Sequence, residues 1–383
     1  MKYRLFAVTA PGIEPYTAQE LLSLGMKPIS SHVSSPGNAS NDFGGVEFEG
    51  SLTDVYRANL FLRSATRLTI RLGEFNAAAF SELRKKASRL PWGQFIKPGQ
   101  PVLVRAACHK SRLYHSDAVA ERVLGAISDN LGKPLQNAND LKENFPGSQL
   151  ILVRIQFDHV VISIDTSGIL LHKRGYHLET AKAPIRETLA STMVLASSWD
   201  PICPLIDPFC GSGTIAIEAA MIARQIAPGK NRLFAFMDWP NYNPDLWHSL
   251  LEEASAREIL NTLIIKASDR DEGAIRIARA NAIRAGVEDS IQFTHYAISA
   301  IEPTPQPGWI VTNPPYGIRV SPNRDLRNLY SQFGNILRAG FTNWNLGFLC
   351  SSDYLAGHTG LEFEQCIPLV NGGLAVKFYQ CRL

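Results

Sequence analysis

Asp207-Pro208-Phe209-Cys210-Gly211-Ser212-Gly213-Thr214 stands where a short apolar run, Leu205–Asp207, passes into a helical pattern over Thr214–Arg224. A strand that turns through glycines into a helix lets the backbone approach a ligand closely. It also aims the free N–H groups of the helix's first turn at a carboxylate or phosphate. Asp207, the last residue of the strand, offers a carboxylate that can accept from an amino group. Gly211-x-Gly213-x-x-Ala216 also satisfies the loose dinucleotide fingerprint, which asks for an acid about 20 residues further on. The next acid at a strand end is Asp269, so a nicotinamide enzyme ranks last among the readings.

Outward from this turn the chain alternates strand and helix from about residue 169. Leu263–Asp269, Ile291–His295, Trp309–Thr312 and Leu346–Ser351 read as strands, and Glu272–Ala285 as a helix stopped by Gly286. Such alternation marks a mainly parallel sheet. Glu362–Val370 and Leu374–Cys381 flank Asn371-Gly372-Gly373, a hairpin signal. Upstream, residues 1–60 read strand (Tyr3–Val8), helix (Pro15–Leu24) and strand (Gly45–Phe48), with Ser30–Asp42 as a polar loop. Residues 61–168 mix strands at Arg67–Leu72 and Val102–Ala107 with helices near 79–90 and 116–130, closing in a hairpin from Leu150 to Asp165. The expected fold class is α/β: a Rossmann-like sheet with a C-terminal antiparallel hairpin over 169–383, preceded by two α+β pieces.

The chain has 383 residues, 45% hydrophobic and 19% charged, which excludes disorder, collagen and a coiled-coil rod. It lacks the run of about 18 apolar residues that a membrane span needs, and its start does not read as a signal peptide. Six cysteines (108, 203, 210, 350, 366 and 381) form no CxxC pair, so a reducing cytoplasm is the expected home. Nine dispersed histidines, with His172 and His177 five apart, give no metal-ligand spacing. Residues 61–112 carry 11 Lys and Arg against two Glu, enough for a phosphate-backbone footprint. The candidates there for nucleic-acid contact are Arg63, Arg67, Lys85, Lys86, Arg105, Lys110 and Arg112.

The second chemical motif is Asn313-Pro314-Pro315-Tyr316-Gly317, at the end of the strand Trp309–Thr312. Two prolines remove two N–H donors, so carbonyls and the Asn oxygen present acceptors, which suit an exocyclic amino group. Tyr316 offers a flat face to a base taken out of its stack.

DPFCGSGT followed by NPPYG resembles the S-adenosylmethionine-dependent amino-methyltransferases of nucleic acids. Leu171–Tyr176, Ala183–Ala190, Ile226–Gly229 with Phe234–Phe236 and Trp239, Thr9–Glu14 and Ser111–His115 extend the likeness across nearly the whole chain. They resemble the bacterial THUMP-domain RNA methyltransferases. The resemblance implies a ferredoxin-like domain (1–60), a THUMP RNA-binding domain (61–168) and a methyltransferase domain (169–383). It implies that Asp207, Pro208, Phe209, Cys210, Gly211, Ser212, Gly213 and Thr214 cradle the methionine part of the cofactor. Asp269 would hold the ribose, with Arg270 beside the adenine. Asn313, Pro314, Pro315 and Tyr316 would hold the target base. The family's usual adenine-binding acid is Ala297 here, a departure. The implied reaction is methylation of guanine N2 in structured RNA, 23S rRNA above others. Two rivals stand beside it: adenine-N6 methylation of RNA or DNA, and an RNA-binding assembly factor with a vestigial site. Cys210 is expected to be a packing residue, Arg186 with Glu187 a helix-surface pair, and the Trp239–Trp247 aromatics packing for an insertion.

Overall fold

A computed structural model describes residues 1–32, 44–135, 147–178, 185–260, 263–316 and 326–383. The loop read over Ser30–Asp42 lies outside these beyond His32, as do Ala183, Pro184 and Gly317. The N-terminal part runs β1 (Tyr3–Val8), α1 (Glu14–Ser23), β2 (Pro28–His32), β3 (Gly45–Gly50), α2 (Leu52–Phe61), β4 (Arg67–Asn76), α3 (Phe80–Ala87), β5 (Val102–His109), α4 (Ser116–Leu131), β6 (Gln149–Gln156) and β7 (His159–Asp165). Its strands join one sheet in the order β2-β3-β1-β4-β7-β6-β5.

Sequence periodicity foretells most of these elements, but neither β2, whose Ser30–His32 fall in the stretch expected to be a loop, nor α2. That helix opens on Ser51, whose side chain takes the Asp54 N–H while Asp54 reaches back to the Ser51 N–H, a reciprocal cap. The expected division at 60/61 therefore falls inside a helix. Beyond it, β4 pairs with β1 through Arg67–Ile70 and with β7 through Thr69–Asn76, so the two expected N-terminal domains share a single sheet.

The second part continues α5 (Glu187–Ala196), β8 (Leu205–Asp207), α6 (Thr214–Ala223), α7 (Pro244–Ala256), β9 (Ile265–Asp269), α8 (Glu272–Ala285), β10 (Ile291–His295), β11 (Trp309–Thr312), α9 (Arg327–Gly340), β12 (Asn345–Cys350), α10 (Asp353–Gly357), β13 (Gln365–Asn371) and β14 (Leu374–Arg382). Its sheet order is β10-β9-β8-β11-β12-β14-β13. The first five strands are parallel and the last two antiparallel. Gly372 and Gly373 have φ of 56° and 86°, the positive values that a two-residue hairpin turn requires.

The two parts lend segments to each other. Phe234, Phe236, Trp239 and Trp247 belong to the N-terminal core. Tyr56 stacks on Phe236 at 4.3 Å and Phe95 meets Trp239 edge-on at 4.9 Å. The aromatic block expected to pack an insertion thus fastens that insertion to the other sheet. Gly229 donates to Leu60 O at 2.9 Å, and a Cβ there would lie 2.8 Å from Asn59 O. In return Ile13 enters the core of the second sheet. Gly12, at φ +89°, would put a Cβ 2.2 Å from Pro368 O.

A buried polar seam completes the joint. Arg174 donates to Leu171 O (2.8 Å) and Arg63 O (2.6 Å). Its Nε lies 3.5 Å from Glu218, which also accepts from the Tyr176 and Ser191 hydroxyls. Arg63 donates to Ile226 O at 2.6 Å and Met221 O at 3.3 Å, at the carbonyl end of α6, where the helix dipole is negative. This corrects the expectation for Arg63, whose guanidinium caps a helix instead of meeting RNA. Arg67 is likewise turned inward, onto Asp165 and Gly168 O.

Candidate active site

In a parallel sheet the strand order reverses at one point, and the crevice outside the strands' carboxyl ends at that point is where ligands sit. Here the reversal falls between β8 and β11, since β9 and β10 continue from one side of β8 while β11 and β12 lie on the other. β8 ends in Asp207 and β11 in Thr312, immediately before Asn313. The two motifs, a hundred residues apart, are adjacent because of that topology. The Thr312 hydroxyl and Asp207 Oδ1 are 2.6 Å apart.

Asp207 is 1% exposed. Oδ1 accepts from Thr312 and, at 3.3 Å, from the Phe209 N–H. Oδ2 is buried without a partner among the described residues. Burial pushes the carboxyl up to about 7, and the Asp269 charge adds to the rise, while the Thr312 and Phe209 hydrogen bonds oppose it. Asn313 Oδ1 is the other buried oxygen at this end without a partner among the described residues. A buried acceptor left empty costs about 1–3 kcal/mol, so both oxygens call for a donor that the described chain does not supply.

The glycine turn is shaped for the same space. Gly211, at φ +52°, has nothing within 4 Å of where a Cβ would lie, and its N–H donates to Asp269 Oδ2 at 3.0 Å. A Cβ on Gly213, at φ +82°, would lie 3.0 Å from Ala278 Cβ, so glycine lets the turn pack tightly on α8. Asn281 holds the Ser212 carbonyl at 3.0 Å. Among the described residues no side chain caps the start of α6, so its first-turn N–H groups are left for an anion. Asp269 also takes the Asp271 N–H at 2.9 Å. Arg270 and Ala297 are exposed. His295 Nε2 meets Arg270 O at 3.0 Å, and the half-open Tyr296 lies beside Ala297.

Three expectations change in detail. Tyr316 is 8% exposed, packed in the core, and its hydroxyl accepts from Asn371 at 2.9 Å. It is a pillar under the loop, not an open face. Its neighbour Pro315 is tied by its carbonyl to the Tyr330 hydroxyl at 3.3 Å. Tyr354, 64% exposed on α10 directly after β12, is the more open of two exposed aromatics at this end among the described residues, the other being Tyr296. Glu187 is buried and faces His177 Nδ1 at 3.5 Å, so it forms no surface pair with Arg186. Cys210 is buried, and burial pushes its thiol well above the ordinary range, which suits packing and disfavours the thiolate a nucleophile needs. Among the described residues no group of three His, Cys, Asp or Glu is placed to hold a metal. None of their helices is long and apolar enough to cross a membrane.

Sequence reasoning missed Thr312, Asn281, Asn371 and Tyr330, which hold the motif residues in place. Nothing local marks them, because each acts across 15 to 105 positions.

The sheet order, the glycine turn and the acceptor-rich strand end define a class I methyltransferase. The chain belongs to the RMKL-like methyltransferase domain family, which matches residues 174–376. The RlmL ferredoxin-like domain matches 4–69 and the THUMP domain 77–165. It is 35% identical to the "Putative RNA methyltransferase YpsC" of Bacillus subtilis, covering 99% of this chain and 96% of that one. It is 33% identical to the ribosomal RNA large subunit methyltransferase K/L of Syntrophotalea carbinolica over 99% of its own length but 53% of that protein. The chain therefore spans about half the length of this second relative. Among solved structures, SMU.472 complexed with SAH superposes with a TM-score of 0.87 at 32% identity, covering 99% of this chain and 97% of that one. A predicted N6-adenine-specific DNA methylase from Listeria monocytogenes does so at 33%, with a TM-score of 0.87 and coverage of 99% and 96%.

The methyl donor of this family is S-adenosylmethionine, and the site fits it. Asp207 Oδ2 can accept from the donor's ammonium, the first turn of α6 can receive its carboxylate, and Asp269 keeps lone pairs for ribose hydroxyls. When bound, the donor supplies a methyl on a sulfonium that is already positively charged. The chain's own task is then positioning, since a good leaving group needs no strong general base. Asn313 Oδ1, buried and without a partner among the described residues, can accept from a donor on the group that receives the methyl.

Proposed function

We propose that this protein transfers a methyl group from S-adenosylmethionine to the exocyclic N2 of a guanine in structured RNA, the 23S rRNA of the large subunit. Asn313 carries the reading: a buried acceptor without a partner among the described residues, at the sheet's ligand-binding end, is matched to an amine donor. The THUMP domain and the relatives named for RNA methylation support RNA as substrate. Those named for the large ribosomal subunit support rRNA. Lys85, Arg105, Lys110 and Arg112, all exposed, would meet phosphates. Lys86, bonded to Glu82 at 2.6 Å and Asn76 O at 2.7 Å, would contribute less. Tyr354 would take the stacking role first read for Tyr316.

Adenine-N6 methylation is the second reading. Its support is the Listeria structure named for that reaction, together with an acceptor set that fits either exocyclic amine. Purified protein, labelled S-adenosylmethionine and RNA from cells lacking the gene decide between them, with nucleosides identified by mass spectrometry and Asn313→Ala as control. N2-methylguanosine that vanishes in the variant is the expected result. N6-methyladenosine would overturn the substrate. Absence of S-adenosylmethionine binding in calorimetry would leave an RNA-binding factor.

A further inference from the structure

At one end of the N-terminal sheet, β5 and β6 finish side by side, with His109 opposite Gln156. The segments beyond them are knotted together. The Phe157 N–H donates to His109 O (3.3 Å), the Arg112 N–H to Asp158 Oδ1 (2.7 Å), and the Asp158 N–H to Ser111 Oγ (3.1 Å). Leu113 is the buried anchor of this loop. Two large aromatics nevertheless stand in solvent on it: Tyr114 at 69% exposure and Phe157 at 64%.

The backbone is strained to put them there. The β6–β7 turn has positive φ at both central residues, Phe157 (50°) and Asp158 (63°), and Lys110 opposite has φ 44°. Such a turn ordinarily selects Asn-Gly or Gly-Gly, and a bulky residue at positive φ is uncommon. An exposed phenylalanine gains nothing from burial in return. Cations stand on the same tip: Lys110 Nζ sits 5.7 Å from the Phe157 centroid, and the exposed Arg112 lies 3.6 Å from Asp158. His115 lies 4.0 Å from the Tyr114 ring, and His109 meets Phe157 edge-on at 6.4 Å. The nearby carboxylates are Asp158, already bonded to Arg112, and Asp117 on α4.

We infer that this tip, Lys110–His115 with the Phe157-Asp158 turn, is a binding site for unpaired RNA bases. Phe157 and Tyr114 are the stacking faces, and Lys110 and Arg112 meet the phosphates between the bases. Open aromatic faces set among cations are what sequence-tolerant single-strand recognition uses. A duplex, whose bases are already stacked, offers such rings nothing. The inference rests on the RNA reading above and gives the RNA a second point of contact, on a sheet separate from the one that carries the site.

Fluorescence anisotropy of the full chain with a labelled oligouridylate and with a blunt RNA duplex tests it. Phe157→Ala and Tyr114→Ala are each expected to weaken oligouridylate binding roughly 5- to 150-fold. Phe157→Tyr should restore it, while duplex binding and S-adenosylmethionine affinity stay unchanged. Bromouridine crosslinking to the unmutated chain should yield peptides holding Phe157 or Tyr114. An unchanged oligouridylate affinity in the double variant, an equal loss on duplex and single strand, or crosslinks confined elsewhere would each overturn the tip alone. A wild-type chain that binds S-adenosylmethionine but neither RNA would overturn the RNA reading and the tip with it.

Discussion

The most exacting consequence of the site concerns Asp207 and pH. Its folded carboxyl titrates at about 7, against an ordinary 3.8, so between these values the native chain holds a proton that the unfolded chain lacks. Stability from this group is therefore greatest below about pH 4 and declines as pH rises towards 7. That difference is worth roughly 4 kcal/mol. A cationic ammonium at Oδ2 would need the ionised form, so binding of S-adenosylmethionine should release a proton. Mostly protonated at pH 5.5 and mostly ionised at pH 7.5, the carboxyl should let the apparent Kd tighten by roughly tenfold or more across that window. The window stays below the range of about 7.7–8.0 where an α-amino group loses its own proton. Calorimetry at several pH values, in two buffers of different ionisation enthalpy, measures both the slope and the proton. Asp207→Asn should bind weakly at every pH with the slope gone. A wild-type affinity flat from pH 5.5 to 7.5, or an unaltered slope in the variant, would refute the assignment.

Three further outcomes follow from the same geometry. Thr312→Val removes a hydrogen bond that holds the Asp207 pKa down, so the midpoint of the affinity–pH curve should move above its wild-type position in the same titration. Asn313→Ala should lower kcat by about 10²–10³ with S-adenosylmethionine affinity unchanged, read from single-turnover rates and calorimetry. Glu218→Ala leaves the buried Arg174 guanidinium uncompensated and should cost about 3–5 kcal/mol, seen as a lower urea midpoint.

Much of the fold could be read from local signals. β8, β10, β11 and α8 fall where alternation and glycine stops place them, because buried parallel strands are short apolar runs and Gly286 ends α8 at φ +72°. The reading failed where the deciding contact is distant. α2 was overlooked because Leu52–Phe61 buries two faces, one towards its own sheet and one towards α7 through the Arg57–Glu253 pair at 2.6 Å. It therefore shows no clean amphipathic stripe. Arg63 and Arg67 entered the basic tally as if every cation met solvent, yet their partners are carbonyls and a carboxylate 98 to 163 positions away.

The sequence by itself determined which groups are on offer: Asp207, the glycine turn and Asn313 are short motifs legible from residue types alone. Tertiary structure alone decided their use. Strand order laid β8 beside β11 and brought two distant motifs within one hydrogen bond. Packing turned Tyr316 inward and left Tyr354 open. Close approach at Gly12 and Gly229 locked the two sheets together. Local pattern encodes which side of an element is apolar, whereas the partner it meets is settled only when all such sides are buried at once.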